Sequence, residues 1–147
     1  MTDIIIKYRA KVYQFMGDEV VLSWKVDAGI KSLNCIKTIY AFEKKLEARK
    51  NYYINNFGSY PEFRVGMDLG IVTVSEIGDI KSEIAYHGDI LNTAARLQEQ
   101  CRKYDKKLLV SERPINRLKN LNGFIIEQIS ELQLRGKNQK IKVFVLI

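Results

Sequence analysis

The chain is poor in the residues that mark secreted, membrane-bound or metal-caged proteins. It has two cysteines, Cys35 and Cys101, far apart and without CxxC spacing. That excludes a disulfide scaffold. Each sits in an apolar helical pattern, so both are expected to be reduced core thiols of a cytoplasmic protein. The single histidine, His87, has no second histidine or cysteine beside it. It therefore reads as a polar residue at an element boundary rather than a metal ligand. No apolar run approaches the roughly 20 residues of a membrane span, and no secretory pattern opens the chain. Only two prolines occur, Pro61 and Pro114, and both punctuate element boundaries. Linkers, repeats and low-complexity stretches are absent, which argues for one domain over residues 1–147. The glycines of GDIKSEIAYHGD lack P-loop or dinucleotide spacing, and no Ser-His-Asp or Cys-His order is recognisable. No RNP1-like aromatic strand is present either, so nucleic acid is not an expected partner.

What is present is an ordinary globular composition, 46% hydrophobic and 28% charged, with a net charge of +7. The excess of base is spread along helices and tails rather than gathered in a block, as on a solvated surface. KVYQFMGDEVVLSW reads as two β-rich runs around Gly17-Asp18. From about Ala28 to Phe57 the pattern is helical, with Ile30, Leu33, Ile36 and Tyr40 at three- and four-residue steps. FRVGM, IVTVSE and KSEIAYH follow as strands, then a helix from about Asp89 to Tyr104. KLLVS reads as a strand, PINRLKN as a short helix, and GFIIEQISELQL and KIKVFVL as a closing strand pair. Several strands are adjacent in sequence, which predicts an α+β sandwich whose sheet is largely antiparallel and covered by helices.

Three small groups could carry chemistry. Asp18 sits at a tight turn, where a carboxylate can bind a hard cation or where Gly-Asp can serve backbone geometry alone. Asn92 and Arg96 are four residues apart on the later helix. At about 100° per residue they lie away from the stripe of Ile90, Ala94, Leu97 and Cys101. Such a pair can bind an anionic oxygen that gains charge, or can be a solvated helix face. In LRGKNQK, Arg135 and its neighbouring lysines can contact phosphates or form a charged hairpin tip.

Taken in order, FMGDEVVLSW, FRVGMDLGIVTVSEIG, YHGDILNTAARLQEQC, KLLVSE and ELQLRGKNQKIKVFVL resemble the catalytic domain of class III nucleotidyl cyclases, the adenylate/guanylate cyclase family. The likeness runs from about Lys11 to Ile147, and GDILNTAARL is its most specific stretch. The resemblance implies a ferredoxin-like cyclase sandwich and an antiparallel homodimer with its active sites between subunits. It also implies conversion of a nucleoside triphosphate, ATP by default, to 3′,5′-cyclic nucleotide and pyrophosphate for intracellular signalling. Two Mg²⁺ or Mn²⁺ ions per site are expected. By the same resemblance Asp18 matches a metal-binding aspartate and Asn92 the residue that orients the ribose. Arg96 matches the one that stabilises charge on the α-phosphate, and Arg135 the basic residue at the terminal phosphates.

The family pattern is departed from in three places. The stretch that holds the other metal aspartate on a first strand has no counterpart, and Asp3 is the sole acid upstream of the hairpin. One metal ligand is thus missing. The expectation is an N-terminally truncated domain from a longer sensor protein, at the cytosolic face of a membrane if the parent has one. At the two base-selecting positions, four before the aspartate and seven before the asparagine, stand Gln14 and Ala85. Gln14 can hydrogen-bond a base edge and Ala85 cannot, which leaves GTP or a pyrimidine triphosphate open. Asp68, in GMDLG, stands where many relatives carry histidine. The alternative to an enzyme is a catalytically silent cyclase-homology module that binds nucleotide or a partner and regulates.

Overall fold

A computed structural model describes residues 1–77, 83–118, 123–133 and 140–147. The chain forms two units, Met1–Phe63 and Arg64–Ile147.

The first unit opens with a short helix, α1 (Thr2–Lys7), and a hairpin of β1 (Lys11–Met16) and β2 (Glu19–Ser23). Met16 pairs with Glu19 across Gly17-Asp18, and Gly17 supplies the positive φ of 61° that such a tight turn requires. Trp24 donates its indole N–H to the Tyr8 carbonyl at 3.0 Å, tying the end of the hairpin back to α1. A π-helical turn, Asp27–Lys31, precedes α2 (Asn34–Glu47) and α3 (Lys50–Phe57). The expected unbroken helix over 28–57 is therefore three pieces. The π turn bonds with i→i+5 spacing and shifts the helical phase, and Leu33 then breaks the run in a left-handed conformation at φ 55°. Ile30 and Ile36 are buried as the spacing predicts, Cys35, Ile39 and Phe42 join them, and Tyr40 turns outward.

The second unit contains β3 (Val65–Met67), β4 (Thr73–Ile77), β5 (Glu83–His87), α4 (Asp89–Lys103), β6 (Leu108–Ser111), α5 (Glu112–Arg117), β7 (Ile126–Gln133) and β8 (Lys140–Leu146). Four strands form a sheet in the order β3-β6-β8-β7, and β4 pairs with β5 separately. Among the described residues every pairing is antiparallel except β3 with β6, so the largely antiparallel α+β class holds. Helix α4 lies on the sheet. Leu97 and Cys101 from α4, Leu109 from β6, and Val143 and Val145 from β8 form the core. β6 reads LLVS and is buried at all four positions, as a strand covered on both faces must be.

Candidate active site

The seating of α4 decides where its polar side chains go. Gly66, in the middle of β3, has no room for a side chain. A Cβ there would fall on the Ala94 carbonyl oxygen and lie 2.5 Å from the Gln98 nitrogen. A glycine within a strand pattern is the sequence sign of such a close backbone approach. At the other end, a Cβ on Gly88 would stand 2.9 Å from the Ile71 carbonyl oxygen. The helix is thus held against backbone at the residue that caps its start and again about two turns later.

With that seating Asn92 is exposed, and Thr93 is buried with its hydroxyl donating to the Asp89 carbonyl at 2.8 Å. Thr93 joins the inward face that the sequence pattern assigned to apolar residues alone. Arg96 is half-buried on the flank of the helix rather than opposite the core. It lines a hollow of about 190 Å³ with Thr93, Glu99, Gln100, Leu132, Gln133 and Ile141. Leu132 and Gln133 end β7, and Ile141 lies near the start of β8. The strand leading toward Arg135 therefore borders the hollow, while Arg135 itself lies outside the described residues. Ala85 is paired with Ser75 in the β4–β5 ladder, and its side chain is not among those described.

The first unit carries the other candidates. Asp18 is exposed at the hairpin turn, and Gln14 is exposed on β1 beside an irregularity in the ladder between Val12 and Gln14. Asp3 is engaged elsewhere. Its carboxylate accepts from the Lys45 ammonium at 2.6 Å and pairs with the N-terminus at 3.2 Å. The lysine bond holds its pKa down at about 2. Among the described residues no three His, Cys, Asp or Glu side chains converge as a metal cage would need.

One network in the second unit was not read from the sequence as a group. The Asp68 side chain has 0% exposure. It accepts hydrogen bonds from the Ser111 hydroxyl at 2.5 Å, the Leu69 amide at 2.8 Å and the Arg113 guanidinium. Burial pushes its carboxyl up from the usual range, and the hydrogen bonds and the arginine charge pull it back. The three donors are 1 to 45 residues away in sequence, which hides the group from any local pattern.

The chain matches the family described as Adenylate and Guanylate cyclase catalytic domain over residues 36–147. It is 29% identical over 146 residues to Adenylate cyclase 2 of Rhizobium meliloti (strain 1021), a match covering 99% of this chain and 40% of that relative. The chain thus spans about 40% of that relative's length. Among solved structures, a bacterial light-regulated adenylyl cyclase superposes with a TM-score of 0.81 at 22% identity, over 99% of this chain and 41% of the other. The guanylyl cyclase Cya2 superposes with a TM-score of 0.79 at 15% identity, over 99% of this chain and 73% of the other. At these identities the superpositions speak for the fold. No described helix is long and apolar enough to cross a membrane. With the matched region and the GDILNTAARL helix seated on its sheet, the chain belongs to the adenylate and guanylate cyclase catalytic-domain family.

Proposed function

We propose that this domain converts a nucleoside triphosphate, ATP first, to the 3′,5′-cyclic nucleotide and pyrophosphate, as a cytoplasmic homodimer. The observation that carries the reading is the placement of Arg96. It is half-buried at a hollow bordered by the end of β7, and Asn92 stands exposed one turn before it. In the reaction the ribose 3′-hydroxyl attacks the α-phosphorus, and the bond from that phosphorus to the bridging oxygen of pyrophosphate breaks. Asn92 would hold the ribose so that the hydroxyl lies in line. Arg96 would donate to the α-phosphate oxygens as charge grows on them, from a site that is partly desolvated and so electrostatically stronger. Arg135 would neutralise the leaving phosphates. Both Asn92 and Arg96 would serve a nucleotide whose metals are held by the partner subunit.

Divalent metal fits the donors in part. Asp18 is an exposed oxygen donor on a tight turn, of the kind Mg²⁺ and Mn²⁺ take alongside water and substrate phosphates. When bound, two such ions supply charge to the attacking and leaving oxygens. Asp18 would hold one share of that coordination.

A second reading, a module that binds nucleotide without turning it over, is favoured by Ala85, which offers the base no polar side-chain atom. Cyclisation assays with Mn²⁺ and each of the four triphosphates separate the two. Product from one nucleotide is expected, with a rate about 10²–10³-fold lower in Arg96→Ala. Nucleotide binding with no cyclic product from any of the four would reject turnover and leave the binding module.

A further inference from the structure

Asp68 follows β3, one residue past the Met67–Val110 pair, and so stands level with Ser111 at the end of β6. A carboxylate without exposed surface is costly unless its lone pairs are used. Here both oxygens are used, and the third donor, Arg113, comes from α5. The arginine has a second contact. A Cβ on Gly70 would lie 3.2 Å from Arg113 Nη1 and 3.8 Å from Ile90 Cβ. One residue on, the Ile71 carbonyl bears against Gly88 at the head of α4. Residues 68–72 are therefore tied to β6 and α5 through Asp68, and they pack against the first turn of α4, two residues before Asn92. Arg113 Nε is buried without a hydrogen-bond partner among the described residues, so the Asp68 carboxylate is what seats the guanidinium.

We propose that the Asp68–Ser111–Arg113 network is a positioning device for the first turn of α4, which through that turn sets the aim of Asn92 and Arg96. The catalytic half of this inference rests on the cyclase reading above. The structural half does not.

The test is amide hydrogen exchange on the full chain, compared with Asp68→Asn, Arg113→Ala and the double variant, beside cyclisation kinetics on the same proteins. Each single variant is expected to speed exchange in residues 88–93 by about tenfold while residues 140–146 stay within about twofold of wild type. The double variant should add little beyond the larger single effect, because one clamp has been opened twice. In the kinetics, kcat should fall about tenfold with KM within about twofold, since orientation and not binding is lost. Equal acceleration across both segments would mean a merely structural pair, and no change at 88–93 would remove the clamp; either overturns the positioning. A local exchange effect with unchanged kcat overturns the catalytic half alone. If wild type makes no cyclic product from any triphosphate, the cyclase reading fails and takes the catalytic half with it. Exchange still decides the structural half.

Discussion

Burial holds the Cys35 thiol protonated, with its pKa pushed from 9.0 to about 11, while its sulfur donates to the Gly29 carbonyl. The folded state keeps a proton that the unfolded chain would lose. Stability from this thiol is therefore complete below pH 9, and is lost as pH rises through about 11. The loss is on the order of 2–3 kcal/mol. Cys101 is shifted in the same direction by its own burial. Alkylation with iodoacetamide at pH 8 should accordingly leave both thiols unmodified in native protein and label both in urea. Labelling of either in the native state would contradict the burial. Cys35→Ala should also flatten the alkaline fall in the urea midpoint between pH 9 and 11. Asn92 gives a prediction of a different kind. Its side chain is exposed and leaves the core untouched, so Asn92→Ala should hold the thermal midpoint within about 2 °C. The same substitution should lower cyclisation about 10²-fold if the asparagine orients the ribose. A stability loss equal to that of a core variant would assign it to structure instead.

Among the elements, α4 and its bed are the part most readable beforehand. Of the stripe that spacing predicts, Leu97 and Cys101 are fully buried and Ile90 and Ala94 half-buried. Thr93 was not part of it, because a threonine looks polar until its hydroxyl is seen bonded to the preceding turn. The bed is the more sensitive side. Gly66→Ala would drive a methyl group into the Ala94 carbonyl, which is backbone and cannot rotate aside. We expect a loss of about 3 kcal/mol, read as a lower urea midpoint at unchanged slope. Gly17→Ala has open space around it, and its cost comes from the positive φ alone. It should therefore destabilise by about 1 kcal/mol, less than Gly66→Ala. The reverse order would mean that α4 is not seated on β3 as described. The helical reading of 28–57 holds over Asp27–Lys31, Asn34–Glu47 and Lys50–Phe57, and only its continuity is lost, for a local reason. Apolar spacing of three and four residues cannot register a π turn or a left-handed leucine, since both change phase without changing composition.

At the scale of the whole molecule, the hairpin that carries Asp18 leaves much apolar surface uncovered. Phe15 is 70% exposed, with Met16, Val12 and Val20 also exposed along the two strands. Ile71 is 92% exposed in the second unit. Exposed apolar side chains of this kind on one hairpin can mark a contact site, and the proposed function needs two subunits. Sedimentation should show a dimer growing in with concentration, and Phe15→Asp should weaken it by about tenfold or more in Kd. A monomer at every concentration, with Phe15→Asp indistinguishable from wild type, would count against a homodimer built on this hairpin.

The sequence by itself determined the strand and helix order from Gly58 onward, the α+β class and the family, because turn residues, apolar period and motif order are local properties. It also marked Asp18, Asn92 and Arg96 as the polar positions worth testing. Tertiary structure alone decided three matters. It put Arg96 on the flank of α4 beside the end of β7, a place that depends on which strand lies next to the helix. It tied Asp3 to Lys45, 42 residues away. And it joined Asp68 to Ser111 and Arg113, which lie on the far side of α4 in sequence and meet only because β3 and β6 run parallel. Partners set by long-range pairing leave no periodic trace in either segment, so the network became visible only once the sheet was assembled.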